Sequence, residues 1–209
     1  MAYKDWQGGE FLDSLSVGKL LFIPSWGDWP KGEKGLCLRL DPGVVFGSGQ
    51  HPTTRDSLQA LLWVYDQDKP QKVLDLGTGT GILSLAAVSL GAEKVVAVDW
   101  NPACVRTTLD NVSLNVMESK IEVVEGKAED FINQPADLVL ANLHFAVIQD
   151  LIKAPAFYDK GKEGRFPLSS QKLYRKKKIT RQIRARNKQD PFHNGLEKDA
   201  KKTISRSLN

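Results

Sequence analysis

Apolar side chains follow two alternating patterns from about residue 54 to residue 141. Short, nearly continuous apolar runs predict buried β-strands, whereas apolar residues that recur every three or four positions predict amphipathic helices. Because strands and helices alternate, the sequence predicts an α/β fold with a mostly parallel sheet, whose valine-rich and leucine-rich strands are buried on both faces. The predicted strands are 73–76, 95–98, 121–124 and 138–141.

Three helices are predicted before or between these strands. The first starts near residue 54, and the second spans 82–90 with Gly91 suited to its C-terminal cap. The third starts after an N-cap at Asn101, which Pro102 follows. The residues expected to face the core are Leu58, Leu61, Leu62 and Tyr65 in the first helix, the apolar residues of 82–90 in the second, and Val105, Leu109 and Val112 in the third.

The first 40 residues lack this alternation. A turn-rich stretch, 24–30, holds two prolines and two tryptophans and lies between short apolar runs at 20–23 and 36–40. These runs predict two strands. We interpret residues 1–40 as a short lead-in built on a hairpin.

Charge divides the chain at about residue 150. Residues 1–150 hold 12 Lys and Arg against 20 Asp and Glu, a net charge of −8, whereas residues 151–209 hold 17 against 5, a net charge of +12. Charged residues dominate 171–186, so this part cannot bury enough apolar surface to offset the entropy of ordering it. We therefore predict a folded domain over 41–155 and a basic, poorly ordered tail over 156–209.

Two further observations limit the class of protein. Cys37 and Cys104 lack the spacing of a metal site or a redox pair, so we interpret both as reduced thiols and expect no metal. The N-terminal residues have no apolar run typical of a secretion signal, and no stretch approaches the roughly 18 apolar residues of a membrane span. We expect a cytoplasmic protein that does not contact a membrane.

A glycine loop follows the predicted strand 73–76. Gly77, Gly79 and Gly81 let the backbone turn sharply and approach a ligand, and the helix that follows favours a negatively charged group at its N-terminus. A dinucleotide site needs G-x-G-x-x-G, but the sixth position counted from Gly77 is Ile82. Asp99 ends the next strand, where a carboxylate can accept hydrogen bonds from both hydroxyls of a ribose.

The loop pattern, Asp-x-Gly-x-Gly-x-Gly from Asp75 to Gly81, resembles motif I of class I methyltransferases. The resemblance implies S-adenosylmethionine as cofactor, with the glycine loop around its methionine end and Asp99 at its ribose. In this class an acidic residue after the third strand often borders the adenine. Glu129 or Asp130 would fill that role here, and the alternative is that both belong to a solvated acidic turn.

A second signature runs from Phe46 to Thr54. It contains two glycines and a histidine, a third glycine (Gly43) shortly precedes it, and either Thr53 or Thr54 is predicted to cap the helix that follows. Together with the glycine loop, this segment resembles the PrmA family, which methylates the eleventh protein of the large ribosomal subunit. Further matches over about residues 20–152 are Leu90-Gly91-Ala92, Val98-Asp99, Asn101-Pro102, Asn111 with Asn115, and Ala141-Asn142.

The PrmA resemblance implies a Rossmann-like class I methyltransferase fold, with 41–155 as the S-adenosylmethionine-binding catalytic domain. It also implies that Thr54 contacts the cofactor and that Asn142, at the end of the fourth strand, faces the transferable methyl group. PrmA enzymes have a longer N-terminal recognition domain, and they close the sheet with strands that are missing or atypical in this sequence. Residues expected to form a loop near substrate or cofactor are Phe46, Gly47, Gly49, His51 and Thr53.

Three hypotheses follow for the function. The first is N-methylation of an amine on a protein substrate, such as a ribosomal protein, with Asn142 orienting the amine. The second is methylation of another protein lysine or of a small amine. The third is a binding module without catalysis, whose basic tail contacts RNA through phosphates; a solvated tail is the favoured interpretation of that segment.

Overall fold

The computed structural model describes residues 14–32, 35–144, 147–149 and 151. Seven strands and four helices have their full length within this part of the chain. In chain order they are β1 (Leu15–Val17), β2 (Leu20–Pro24), β3 (Leu36–Leu40), α1 (Pro52–Gln67), β4 (Lys72–Leu76), α2 (Ile82–Leu90), β5 (Lys94–Asp99), α3 (Pro102–Leu114), β6 (Ile121–Glu125), α4 (Ala128–Phe131) and β7 (Leu138–Ala141).

The larger sheet has four parallel strands in the order β6-β5-β4-β7. The chain moves outward from β4 through β5 to β6 and then crosses back to pair β7 on the other side of β4. This reversal creates a switch point between the carboxyl ends of β4 and β7, which is where ligands bind in open α/β sheets. The prediction of a parallel sheet from these four segments is confirmed.

The strand at the centre of the sheet, β4, has apolar side chains on one face and a carboxylate on the other. Leu74 and Leu76 pack with Val98, Ile132 and Leu151 in one buried cluster. The opposite face of the sheet packs against α2. Residues 82–88 of α2 are all buried, because α1 covers the side of this helix that faces away from the sheet. This sandwich fixes the strand end from which the glycine loop starts.

The smaller sheet has the order β1-β2-β3. The predicted strands at 20–23 and 36–40 are confirmed, but the hairpin between them is wrong, because β2 and β3 run parallel with Leu20 opposite Leu36. The hairpin instead joins β1 to β2, with Leu15 opposite Phe22. The connection between β2 and β3 returns the chain to the starting end of β2, so the two strands share a direction.

Arg39 of β3 holds the turn that follows β2. Its Nη1 donates hydrogen bonds to the carbonyl oxygens of Ser25 (3.0 Å) and Gly27 (3.1 Å). Its guanidinium carbon lies 5.4 Å from the ring centroid of Trp29, a cation–π distance. One side chain therefore fixes the first part of the connection between the parallel strands.

The buried face of α3 differs from the prediction. Val112 is buried as expected, but Leu109 is 49% exposed and Val105 is only half-buried. The buried positions are Cys104, Thr108, Asn111 and Val112. The prediction is wrong because α3 packs against backbone of β3 and of the glycine loop as well as against β5 and β6, and polar side chains satisfy that backbone.

Three expectations concern residues beyond the described part. The predicted tail at 156–209, its possible RNA contact and the closing strands of the sheet all lie outside the described residues. Among the residues that are described, no helix is long and apolar enough to span a bilayer.

Candidate active site at the carboxyl ends of β4, β5 and β7

The glycine loop turns directly after β4. Gly77, Gly79 and Gly81 have φ angles of 72°, 60° and 82°, the left-handed region that favours glycine. A Cβ on Gly79 would overlap the carbonyl oxygen of Phe46, and one on Gly77 would overlap the side chain of Leu143. These glycines therefore let two other segments lie against the loop backbone, and the close approach of a ligand stays a prediction.

Asp99, the last residue of β5, lies beside this loop with only 7% of its surface exposed. Its Oδ2 accepts the N–H of Gly79 (3.0 Å) and its Oδ1 accepts the N–H of Asn101 (3.0 Å). A carboxylate can accept about four hydrogen bonds, so both oxygens keep acceptor capacity for hydroxyl groups of a ligand. The structure thus brings together the loop and the acidic residue that the sequence paired.

Asp75 is a buried carboxyl beneath the loop. Its Oδ2 accepts hydrogen bonds from Thr78 Oγ1 (2.8 Å) and Ser84 Oγ (2.6 Å), while its Oδ1 has no partner among the described residues. Burial raises its pKa to about 6; the hydroxyls of Ser84 and Thr78 oppose that rise, and the charge of Asp99 adds to it. The sequence identified Asp75 only as the first residue of the motif, because its depth could not be foreseen.

Cys104 of α3 lies under Asp99. The pKa of its thiol is raised to about 11, mainly by burial and also by the negative charge of Asp99 and a hydrogen bond to that carboxylate. Cys104 and Cys37 are both free thiols, as predicted. The carboxylate of Asp99 is thus flanked by backbone N–H groups and by a protonated thiol.

The segment before α1 packs on the glycine loop, as its distinctive sequence suggested. The carbonyl oxygen of Gly47 accepts a hydrogen bond from Thr80 Oγ1 (2.8 Å). Phe46 is 53% exposed, and its ring lies 5.3 Å from that of His51. Gly49 is buried against the side chain of Leu15, which ties the segment to the smaller sheet as well.

The N-cap of α1 is His51, so the prediction of Thr53 or Thr54 is wrong. The Nδ1 of His51 accepts the N–H of Thr53 (3.3 Å). Pro52 occupies the first helical position, which suits its fixed φ, so the N-cap is the residue directly before the proline. Thr54 is consequently free of the capping role and points inward, with 1% of its surface exposed.

Asn142 follows β7 and reaches Thr54 across the switch point. Its Nδ2 donates to Thr54 Oγ1 at 3.4 Å, and its Oδ1 has no hydrogen-bond partner within the described residues. The next residue, Leu143, packs against Gly77. The two residues that the sequence singled out from separate elements therefore meet beside the glycine loop.

Glu129 and Asp130 lie in the first turn of α4, after β6, and both are exposed. Within the described residues no side-chain hydrogen bond joins either of them to Asp99 or to the glycine loop, so an adenine contact stays a prediction. The described part of the chain includes no cluster of three or more His, Cys, Asp or Glu that could hold a metal.

Sequence reasoning missed the contribution of α3 to this site. Thr108 Oγ1 donates to the carbonyl oxygen of Gly79 (2.9 Å), and Asn111 Nδ2 donates to that of Thr80 (2.9 Å). With Asn115, these residues form a polar stripe at helical spacing, which is the signal that could have located the buried face. The apolar residues between them drew the prediction to the wrong side of the helix.

Comparison with known proteins gives a consistent family. A family model described as ribosomal protein L11 methyltransferase (PrmA) matches residues 4–189. The ribosomal protein L11 methyltransferase of Carboxydothermus hydrogenoformans is 39% identical over 143 residues, which cover 68% of this chain and 46% of that protein. That of Staphylococcus haemolyticus is 34% identical over 170 residues, covering 79% and 54%. The chain spans about half the length of these curated relatives.

A solved structure supports the same fold. The ribosomal protein L11 methylase from Lactobacillus delbrueckii subsp. bulgaricus aligns with a TM-score of 0.59 and 31% identity, covering 66% of this chain and 70% of that chain. The prediction of a Rossmann-like methyltransferase fold with a mostly parallel sheet is confirmed.

Proposed function

Because the chain belongs to the PrmA family of ribosomal protein L11 methyltransferases, we propose that it transfers methyl groups from S-adenosylmethionine to amino groups of ribosomal protein L11. The observation that carries this proposal is the meeting of the glycine loop, Asp99 and the Thr54–Asn142 pair at the switch point of the sheet. A ribosomal substrate also supports the cytoplasm as the proposed location of this activity.

The described residues suit S-adenosylmethionine in the chemistry of their donors and acceptors. The positive-φ glycines make the backbone of Gly77–Gly81 turn sharply directly after β4, which suits contact of backbone groups with the amino-acid end of the cofactor. Asp99 is already aimed by two backbone N–H groups and keeps acceptor capacity for the ribose hydroxyls. Glu129 is the proposed neighbour of the adenine, with Asp130 as its alternative.

When bound, S-adenosylmethionine supplies a methyl group that its sulfonium already activates, so the protein contributes mainly alignment. Asn142 donates its Nδ2 hydrogen to Thr54, which leaves Oδ1 as the acceptor on the open side of the amide. In the proposed mechanism Oδ1 accepts an N–H from the uncharged substrate amine and thereby directs the nitrogen lone pair. Thr54 acts by fixing the orientation of the amide.

Phe46, with its exposed ring, Gly47, Gly49 and His51 lie just before α1, and Thr53 lies in the first turn of that helix. The hydrogen bond from Thr80 to the Gly47 carbonyl holds this segment beside the glycine loop. We assign this segment to substrate or cofactor contact. Because the chain covers only about half of its curated relatives, the choice of ribosomal protein L11 rests on family membership. The competing substrates are another protein lysine and a small amine.

Cofactor binding is tested first, by calorimetric titration of the 209-residue chain with S-adenosylmethionine. Saturable binding is expected, and Asp99→Ala should weaken it because the ribose acceptor is gone. Asp110→Ala, which removes an exposed carboxylate from α3, is the matched control and should bind as the unmodified chain does. Absence of binding by the unmodified chain would overturn the proposal.

Methyl transfer is then measured by mass spectrometry on purified ribosomal protein L11. Methylated L11 is the expected product, and methylation of other proteins or small amines with L11 unmodified would overturn the substrate while keeping the enzyme class. Asn142→Ala should lower turnover by about 10-fold or more with a smaller change in cofactor affinity, since a positioning contact is lost. Thr54→Val should share this defect and Thr54→Ser should not; full turnover by Asn142→Ala would remove its role.

A further inference from the structure

We infer that Asn111 of α3 is a positioning residue for cofactor binding, because its side-chain amide holds the glycine loop and the segment leading to Phe46 in one fixed relation. The inference rests on the proposed function, since it concerns the same site. It assigns a role in that site to a helix face that neither the glycine-loop motif nor the Phe46–Thr54 motif includes.

The amide of Asn111 is fully buried and makes three hydrogen bonds to the backbone of two segments. Its Oδ1 accepts the N–H of Asp41 (2.6 Å), and its Nδ2 donates to the carbonyl oxygens of Asp41 (2.7 Å) and Thr80 (2.9 Å). Asp41 begins the segment that runs to Phe46, and Thr80 belongs to the glycine loop. One side chain thus joins the glycine loop to the start of the segment that leads into the Phe46–Thr54 motif.

Two further contacts extend this link around the loop. Thr108 Oγ1 donates to the carbonyl oxygen of Gly79, so α3 binds the carbonyl groups of two consecutive loop residues. The trans peptide is planar, so the N–H of Thr80 points away from the Gly79 carbonyl and hence away from Thr108. Thr80 Oγ1 donates in turn to the carbonyl oxygen of Gly47. The hydrogen bonds of α3 therefore set which way the peptide groups of the loop face.

The same helix carries a control for this role. Asn115, one turn further along, holds Arg39 of β3 in the same manner: its Oδ1 accepts the Arg39 N–H (2.9 Å) and its Nδ2 donates to the Arg39 carbonyl oxygen (2.8 Å). The remaining bond of Asn115 is to the carbonyl oxygen of Asn111 (2.7 Å). Both asparagines thus bind backbone groups at the end of β3, but of the two only Asn111 has a hydrogen bond to the glycine loop.

The experiment compares Asn111→Ala with Asn115→Ala in the full chain, by melting temperature and by calorimetric titration with S-adenosylmethionine. Both variants lose a clamp on β3 or the residue after it, so both should melt at lower temperature. Only Asn111→Ala should weaken cofactor binding, by about 10-fold or more, because the carbonyl group of Thr80 loses its buried partner. Asn115→Ala should stay within about twofold of the unmodified chain, since its bonds lie outside the loop.

A second pair covers the case in which Asn111→Ala does not fold. Thr108→Val removes the hydroxyl that binds the Gly79 carbonyl while keeping the shape of the side chain, and Thr108→Ser restores the hydroxyl. Weaker cofactor binding by the valine variant, with recovery in the serine variant, supports the role of α3. Equal affinities in this pair would overturn it.

The outcomes separate this inference from the proposed function. If the unmodified chain does not bind S-adenosylmethionine, both are overturned. If it binds, and Asn111→Ala and Asn115→Ala change its affinity equally, the polar face of α3 has a general structural role and the positioning inference alone is wrong. Selective loss of affinity in Asn111→Ala, with melting temperatures lowered alike, is the result that supports it.

Discussion

The two helices α2 and α3 both connect neighbouring strands of the larger sheet, and both also contact β3, yet they bury different kinds of side chain. α2 is apolar and buried nearly all round over 82–88. α3 leaves Leu109 and Leu114 exposed and buries Thr108 and Asn111 instead. This difference shows that α2 stabilises the domain mainly by burying apolar side chains. α3 instead holds the backbone of neighbouring segments in place through side-chain hydrogen bonds.

The largest expected effect tests the apolar helix. Leu85→Ala in α2 removes a side chain with no exposed surface, and the cavity should lower the free energy of unfolding by about 2–5 kcal/mol. Leu109→Ala in α3 removes a half-exposed leucine and should cost less than about 1 kcal/mol. Urea denaturation measures both. Similar losses in the two variants would show that the helices do not differ in this way.

The next effect concerns Asp75, the buried carboxyl that contacts Ser84 of α2. Its pKa is raised from 3.8 to about 6, so between these pH values the native state holds a proton that the unfolded chain releases. The contribution of Asp75 to stability is therefore greatest below pH 3.8, falls as pH rises to about 6, and is constant above. This rise in the pKa of Asp75 corresponds to about 3 kcal/mol in the free energy of unfolding.

Urea denaturation between pH 4 and pH 7 measures this contribution as the difference between the unmodified chain and Asp75→Asn. The unmodified chain should lose stability relative to the variant as pH rises. Asp110→Asn, with its exposed carboxyl, should follow the unmodified chain in its pH dependence. A difference between the chain and Asp75→Asn that stays constant with pH would contradict the prediction.

A third prediction tests whether solvent is excluded from the polar face of α3. The pKa of Cys104 is raised from 9.0 to about 11, mainly by burial and then by Asp99. Its thiolate fraction at pH 8 should be about 100-fold lower than for an ordinary thiol, with correspondingly slow alkylation by iodoacetamide. Mass spectrometry can follow Cys104 against the half-buried Cys37, and Asp99→Ala should speed its reaction. Equal rates for the two cysteines would show that the face is open to solvent.

The smallest effect compares how the two helices end. The C-terminal cap of α2 is Gly91 with φ 117°, whereas Val116, just beyond the C-cap of α3, has φ 55°. A β-branched residue is strained in this region, and Val116 is 84% exposed, so Val116→Gly should stabilise the protein by about 1 kcal/mol. Gly91→Val should destabilise the protein by a similar amount through the strain of its positive φ. No steric clash should add to this cost, because a Cβ at Gly91 meets only open space. Changes of the same sign in the two variants would refute this explanation.

The contrast between these helices also explains how much of the fold the sequence could predict. The apolar runs identified β4, β5, β6, β7 and α2 within a residue or two, because β4, β5 and α2 are buried over most of their length. The prediction that all four strands are buried on both faces is wrong for β6, an edge strand whose Glu122 and Glu125 are exposed. The buried face of α3 could not be found from apolar spacing, since its partners are carbonyl and amide groups. Only the folded arrangement of β3 and the glycine loop makes asparagine and threonine suitable there.

Turn chemistry explains the remaining differences. At Asn101-Pro102 the sequence predicts the cap at the residue before proline, and the structure agrees. Before α1 the sequence predicts the cap at Thr53 or Thr54, since threonine is a preferred N-cap, although Pro52 gives the same positional signal for His51. The parallel pairing of β2 and β3 depends on the path of the connection between them, which local patterns do not encode.

For the candidate site, the two motifs and the ends of two predicted strands sufficed to select Gly79, Asp99, Thr54 and Asn142, which the structure joins in two hydrogen-bonded pairs. What they could not supply was the depth of Asp75 or the thiol beneath Asp99, because burial depends on every element around a residue. The roles of Glu129 and Asp130 remain predictions, since both side chains are exposed at the start of a short helix.

The asparagine clamp on β3 has a consequence for how this protein meets other chains. β3 is the last strand of its sheet, and an unpaired strand edge invites association with the edge of another molecule. Here the outward N–H and C=O groups of Arg39 and Asp41 are bonded to Asn115 and Asn111, much as a neighbouring strand would bond them. The side chains that organise the interior therefore also close a surface along which copies of the protein would otherwise aggregate.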